Sequence, residues 1–306
     1  MSEETYALSR LDSAFDHAKS LLWPVRWDIW LRLAVVALFV GCGIDSLGNS
    51  NLPYAAGSLV LGSTMSVMVS SIAAVVLGIA LLWLLAGATM QFVFVDMLST
   101  GDIHIRRFFR ERLGKGARLF LFELALIAVM ILAIAAFVFM LIGVEGAGAA
   151  TSLLIIALIP VILVAALLFG LVFLLTTDFV VPIMIREDCG IIAGWRRLIG
   201  MIASRFWQTV VYVIVRFVLG LVAAIAQAIL VILALVVIAI PFILVGIVLL
   251  AALQENIVLL LALVIPYLII AIPVALLIAV PFITFFRYYA LLVLEGLLPE
   301  YRLLPE

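Results

Sequence analysis

The sequence predicts an all-α integral membrane protein with six transmembrane helices, arranged as three hairpins that each follow an amphipathic interfacial elbow helix. The chain of 306 residues is 68% hydrophobic and 11% charged, whereas soluble domains carry about 25% charged residues. Several apolar stretches exceed the roughly 20 residues that cross a bilayer core. Stretches such as 222–240 lack the alternating pattern of an outer-membrane barrel.

Basic residues are confined to four short windows of the sequence. Of the 17 Lys and Arg residues, all but Arg216 fall within residues 10–32, 106–118, 186–205 and 287–302. Because basic residues near span ends stay cytoplasmic, each interval between windows should hold an even number of spans. We therefore expect a multi-pass protein of the cell membrane with both termini in the cytoplasm.

Apolar stretches fill each of the three intervals with two spans. The loops on the far side, near residues 45–63, 145–150 and 254–256, contain no Lys or Arg, which supports this orientation. The predicted spans are Leu33–Gly43, Met65–Met97, Leu119–Gly143, Ser152–Leu175, Phe206–Ile240 and Ile257–Phe286.

The third interval is longer than two spans require. Residues 206–253 contain no acidic group, and as one helix they would extend about 72 Å at ~1.5 Å per residue. We expect Pro241 to end or kink this helix. Residues 242–253 would then form an extra helix at the outer surface, a re-entrant segment or a contact with another subunit. Four short spans in this interval would also satisfy the even number.

The basic windows share one design, which predicts a threefold internal repeat within a single membrane domain. A span ends, a polar cap follows, an amphipathic helix runs along the surface, and the next span begins. In the second window, Gly114–Gly116 would be the hinge between the surface helix and the span. The predicted divisions are a domain at 1–306, repeat units at about 8–98, 102–184 and 188–286, and a C-terminal cytoplasmic interfacial segment at 287–306.

Arginines on the surface helices are the residues that we expect to contact lipid headgroups. Basic residues on a helix in the membrane plane favour anionic headgroups. Two interpretations stay open: the helices only link hairpins and their arginines set the orientation, or they form a specific site for a lipid or polyanion. The predicted contacts are Arg106, Arg107, Arg110, Arg196, Arg197 and Arg205.

Two charged residues, Glu123 and Arg216, fall within the predicted membrane thickness. A charge at the centre of a spanning helix costs about 2.5–3.5 kcal/mol on insertion scales, so we predict an ion pair between them. The pair would hold the third span to the fifth, or it would belong to a substrate or proton-relay site. Without pairing, each group would reach water or headgroups, and the long Arg216 side chain can extend back toward the cytoplasm.

Few other residues suggest chemistry. We expect Asp96 and Asp178, each just before a cytoplasmic exit, to cap or pair with arginines of the surface helices. His17 and His104 stand alone, and no cluster has the spacing of metal ligands. No phosphate-binding glycine motif and no nucleophile elbow occurs. We therefore predict no metal, no cofactor and no catalytic residue, with membrane lipids as the bound molecules.

Three stretches of the chain carry a family resemblance. They are LDSAFDHAKSLLWPVRWDIWLRLAVVALFVGCG at 11–43, VVPIMIREDCGIIAGWRRL at 180–198 and FFRYYALLVLEGLLPEY at 285–301. They resemble an uncharacterised archaeal family of multi-pass membrane proteins and, more distantly, the membrane domain associated with glycerophosphodiester phosphodiesterases. The resemblance implies about six spans and an archaeal cell membrane. It supplies no activity and no catalytic residues.

These observations favour a structural function. We expect a non-enzymatic scaffold that forms a homo-oligomer and organises lipids, since the apolar hairpin 206–286 exceeds what one bilayer crossing uses. The alternative is a transporter or channel for a small or lipid-like solute, with Glu123 and Arg216 lining its path. An enzyme acting on lipids ranks third. The expected partners are membrane lipids and other copies of the chain, and not nucleic acid.

Overall fold

The described part of the chain is almost entirely helical. A computed structural model describes residues 6–41, 65–101, 104–142, 149–253 and 257–301, and these ranges contain no strand. A π-helical turn spans Thr176–Val180, and a 3-10 turn spans Pro299–Tyr301. The helices are α1 (Tyr6–Ser9), α2 (Leu11–Leu22), α3 (Trp27–Gly41), α4 (Met65–Thr100), α5 (Ile105–Ile142), α6 (Ala149–Leu175), α7 (Val181–Arg186), α8 (Ile191–Ser204), α9 (Phe206–Leu253) and α10 (Ile257–Leu297).

Five helical stretches are long and apolar enough to cross a membrane, which agrees with the predicted class of multi-pass membrane protein. The remaining predicted span, Leu33–Gly43, is the first in the chain. It begins within the 15-residue α3 and ends in residues outside the described ranges. Within those ranges six spans are therefore not confirmed. The five stretches are Ala73–Thr100, Ile105–Phe139, Pro160–Arg186, Phe206–Val248 and Ala262–Leu297.

The first compact unit, which includes α2, α3, α9 and α10, forms its core around the end of α10. Residues 288–294 are buried on every side of that helix. The inner face of α2 carries Ala14, Ala18 and Leu22 at four-residue spacing, and α2 packs against α10. The predicted interfacial segment 287–306 thus begins, over residues 287–297, as a largely buried continuation of α10.

The second compact unit comprises residues 61–96 and 106–200. Its most buried stretches are Phe92–Val95 on α4 and Phe179–Met184, which joins the π-helical turn to α7. α4 and α5 meet closely at Gly116, where an added Cβ would lie 2.7 Å from the Thr89 Cα and would overlap the Thr89 hydroxyl. Small residues at such positions let helix backbones approach in a membrane.

Two predicted breaks in the helices are wrong. α5 runs without interruption from Ile105 to Ile142, so Gly114–Gly116 is no hinge and the second window has no separate surface helix. Glycine serves close packing here. α9 continues through Pro241 to Leu253, so Pro241 does not end the helix, and four short spans and a detached segment at 242–253 are excluded. A kink at Pro241 stays a prediction. Neighbouring helices can satisfy the backbone groups that a proline frees.

The first and third windows do contain separate helices, α2 and α8. Their position at a membrane surface stays a prediction. The repeat units also stay a prediction, because the two compact units combine non-contiguous segments and divide the chain differently.

The contact at Gly116 makes a testable prediction about helix packing. Gly116→Ala should destabilise the protein by about 1–3 kcal/mol, because the methyl group has no space against Thr89. Gly114→Ala is the matched control, since no atom lies within 4 Å of its added Cβ; it should be neutral or stabilise by up to about 1 kcal/mol. Thermal unfolding in detergent, followed by tryptophan fluorescence, checks both. Equal stability of the two variants would contradict the packing described.

Candidate functional site

The six arginines predicted to contact headgroups lie at helix surfaces. Five are exposed, and Arg205 is partly exposed. Arg107 pairs with Glu111 on α5 at 3.1 Å, and Arg197 pairs with Glu187 at 3.3 Å. Among these six, the exposed arginines that form no ion pair with a described residue are Arg106, Arg110 and Arg196.

Arg196 lies on a face of α8 that is apolar as well as basic. Ile192 and Ile199 flank it at spacings of four and three residues, and they are 76% and 59% exposed. The inner face of α8 packs closely on protein, since a Cβ added at Gly194 would lie 2.9 Å from the Val180 side chain. A helix anchored on one side, with apolar and cationic residues on the other, has the features of an interfacial helix.

Asp96 forms a two-pronged ion pair with Arg112. The arginine donates from Nε to Asp96 Oδ2 at 2.6 Å and from Nη2 to Oδ1 at 3.2 Å. The Asp96 side chain is only 6% exposed, and Arg112 is 25% exposed. This contact confirms the expectation that Asp96 pairs with an arginine of a basic window. Asp178, its predicted counterpart, lies buried in the π-helical turn.

Lys115 ties α5 to the end of α7. Its Nζ donates to the Met184 carbonyl at 2.8 Å and lies 2.6 Å from Asp188 Oδ1. The carbonyl belongs to the last turn of α7, where backbone acceptors lack helical partners. Asp188 has a φ of 51°, a left-handed conformation that aspartate tolerates better than most residues. The Lys115 ammonium lowers the pKa of Asp188 below its ordinary value.

Cys189, next to Asp188, lacks the environment of a reactive thiol. Partial burial is the main cause that raises its pKa, and the Glu187 carboxylate adds to the effect. Nucleophilic cysteines instead have a lowered pKa next to cations. The other cysteine, Cys42, lies outside the described residues.

Arg216 packs against an aromatic ring inside the α9–α10 pair. Its guanidinium carbon lies 3.9 Å from the centroid of the Phe286 ring. Its Nη1 lies 3.7 Å from where a Cβ would stand at Gly220, one turn farther from the start of α9. The Nη1 end of the side chain therefore lies beside the turn of α9 that follows Arg216, and the possibility that the side chain reaches toward the cytoplasm stays a prediction. The face of an aromatic ring attracts a cation electrostatically, so Phe286 stabilises the guanidinium in place of water.

The same face of α9 presents other polar groups to α10. Gln208, Tyr212 and Arg216 follow one another at four-residue spacing, and the Tyr212 ring stacks on Tyr289 at 5.6 Å. Thr284 on α10 is 1% exposed, and its hydroxyl has no hydrogen-bond partner among the described residues. Tyr212 and Arg216 thus both contact α10, through Tyr289 and Phe286.

The Glu123–Arg216 ion pair stays a prediction. Glu123 lies half-buried on α5 in one compact unit, and Arg216 belongs to the other. Phe286, the aromatic partner of Arg216, was not predicted, because a contact between residues 70 positions apart leaves no mark in local spacing. The burial of Arg287 was also missed, since its position in a basic window suggested a surface residue.

Metal binding finds no support in the part of the chain that the structure describes. Its His, Cys, Asp and Glu side chains form no group of three that could hold a metal ion. What the arrangement offers chemically is exposed guanidinium groups at the helix surfaces and fixed ion pairs between helix ends.

Five apolar helical stretches with paired charges at their ends define a multi-pass integral membrane protein. The chain belongs to DUF7544, a family of unknown function whose model matches residues 5–304. No curated protein and no solved structure matches it.

The Asp96–Arg112 pair should be a major contributor to stability. Asp96→Ala should cost about 3–5 kcal/mol, because it leaves the partly buried Arg112 without its counter-charge. Glu111→Ala removes the partner of the exposed Arg107 and should cost under about 1 kcal/mol. Thermal unfolding in one detergent compares the two. A loss for Asp96→Ala as small as that for Glu111→Ala would show that the pair is not structural.

Proposed function

We propose that this chain is a structural, non-enzymatic protein of the cell membrane that forms an oligomeric assembly and organises anionic lipids. The observation that carries the proposal is the outer face of α8, where exposed Arg196 lies between exposed Ile192 and Ile199. No cofactor enters the proposal, and the bound molecules are membrane lipids.

The energetics of interfacial helices support a lipid-binding function. Such a helix buries its apolar side chains about 5–10 Å into the headgroup boundary, while its cations attract anionic lipids. Each Lys or Arg near the surface adds about 1 kcal/mol. α2 also has an apolar outer side chain, Phe15, which is 60% exposed beside exposed Lys19, although Asp12 and Asp16 are exposed on the same helix. The proposal therefore assigns lipid contacts to both the first and the third basic windows.

The proposal includes the orientation that the basic windows predict. Both termini and the arginine-bearing ends of the helices would face the cytoplasm, where positively charged loops are retained. An archaeal membrane and the distant relation to membrane domains associated with glycerophosphodiester phosphodiesterases stay predictions from the sequence resemblance.

Lipid binding can be tested at Arg196. Arg196→Gln should weaken binding of phosphatidylglycerol about fivefold, which corresponds to the roughly 1 kcal/mol expected of one surface cation. Native mass spectrometry of the detergent-solubilised protein measures the occupancy, with phosphatidylcholine as the uncharged comparison.

The matched control is Arg196→Lys, which retains the charge and should keep most of the binding. If the unaltered protein binds both lipids equally, or if Arg196→Gln has no effect, α8 does not select anionic headgroups.

A transporter for small anions or lipid-like solutes is the second candidate, favoured by the polar face between α9 and α10. Intramembrane ionisable residues face bundle interiors or cavities, and they often mark a substrate path. Arg216 would bind the anionic group. Glu123 would line the same path if the predicted ion pair forms.

The two candidates differ in what they predict for the double variant Glu123→Leu with Arg216→Met. A scaffold should keep its assembly, since both apolar replacements suit the membrane. A transporter should lose the flux of chloride, acetate or phosphate measured with proteoliposomes. Absence of flux in the unaltered protein, or flux that persists in the double variant, would reject the transporter.

A further inference from the structure

The α9–α10 hairpin is longer than a bilayer is thick. α9 has 48 residues and α10 has 41, which correspond to about 72 and 62 Å at ~1.5 Å per residue. The hydrocarbon core spans about 30 Å, and the whole bilayer about 40–45 Å. A tilt of about 40°, the upper end of the usual range, still leaves α9 about 55 Å tall. Part of the hairpin therefore extends beyond the hydrocarbon.

The two helices stay paired toward their far end, so the excess length is ordered structure. Phe242 packs edge-on against Tyr267 with ring centroids 5.7 Å apart. A Cβ added at Gly246 would lie 3.3 Å from Leu263. Close packing at Gly246 allows α10 to lie directly along α9 past Pro241.

Burial in the hairpin is concentrated at the near end of α10, whereas large apolar side chains of α9 are exposed along its whole length. Residues 288–294 are buried where α2 and α3 pack on α10. The far end, here called the distal hairpin, is defined as residues 240–248 and 264–272. Its large exposed apolar side chains, each between 44% and 67% exposed, are Ile240, Ile243, Leu244, Val245, Ile247, Val248, Val264, Ile265, Leu268, Ile269, Ile270 and Ile272.

We infer that the distal hairpin is the contact surface for a second copy of this chain. The inference rests on the proposed function, whose oligomer it locates. Lipid tails cannot cover apolar surface that lies beyond the hydrocarbon core. A second copy in the same membrane carries the same apolar band at the same height, so association removes both from water or headgroups.

Two physical considerations support a second copy as the occupant. Hydrophobic mismatch between helix length and bilayer thickness drives helix association. A standard protein interface takes about 800 Å² from each partner, and twelve half-exposed Ile, Leu and Val side chains offer an area of that order. The distal hairpin contains no charged residue. Two copies of it can therefore pack together without burying an unpaired charge.

The test compares two matched pairs of substitutions on α9. Ile243→Asn with Ile247→Asn alters the distal hairpin, and Leu221→Asn with Ile225→Asn alters the lipid-facing near part at the same spacing. The four side chains are 57%, 60%, 56% and 55% exposed, so the two variants introduce equal polarity at equal exposure. Photobleaching of singly labelled chains in lipid nanodiscs counts the copies, and circular dichroism checks that both variants fold.

We expect an oligomer for the unaltered chain and for the near variant, and at least a tenfold weaker association for the distal variant. Monomers from the unaltered chain, or equal loss of association in both variants, would overturn the inference. Native mass spectrometry with phosphatidylglycerol on the distal variant separates this result from the proposed function, because lipid selection at α8 should persist there even if the oligomer is lost.

Discussion

Hydrocarbon cannot solvate an ion, and the placement of charge in this chain follows from that constraint. Where charged side chains approach the apolar helices, the structure gives them specific neighbours. Asp96 meets Arg112 through two hydrogen bonds, Lys115 joins a carboxylate to a helix-end carbonyl, and Arg216 lies on the face of an aromatic ring. Because separating such partners inside a membrane is costly, these contacts fix which helices lie side by side.

The same constraint explains which features the sequence reveals. The membrane class depends on apolar length, which is a property of each segment alone, and five apolar stretches agree with it. The pairing of Asp96 with an arginine was also predictable, because both residues border one short connection. Two basic windows indeed contain separate helices, because Pro24 and the segment around Asp188 interrupt the chain there.

Features that depend on a neighbouring helix were not predictable. Gly114–Gly116 and Pro241 have the composition of breaks, yet both lie inside continuous helices. The reason is tertiary: Thr89 fills the space at Gly116, and α10 accompanies α9 beyond Pro241. Arg287 was assigned to the surface because charge usually marks a boundary, whereas α10 carries it into the core of its unit. A single sequence gives the composition of each segment, but it does not show which neighbouring helix packs against that segment.

The proposed activities place different demands on different helices. The proposed lipid selection would depend on outer faces such as that of Arg196 on α8. The inferred oligomer contact would depend on the distal hairpin, which contains no charged residue. This separation lets each property change by substitution without the other, whereas Asp96 and Gly116 belong to the packing that both require.

The neighbourhood of Arg216 has a further meaning for residue choice. The ring of Phe286 offers a flat face that suits a planar cation. A guanidinium stacks by its face and sheds water readily, while an ammonium is a compact ion that holds its hydration shell. Lysine would supply the same charge but would draw water between the two helices. The positive-inside rule treats lysine and arginine as equivalent, whereas the contact with Phe286 favours arginine at position 216.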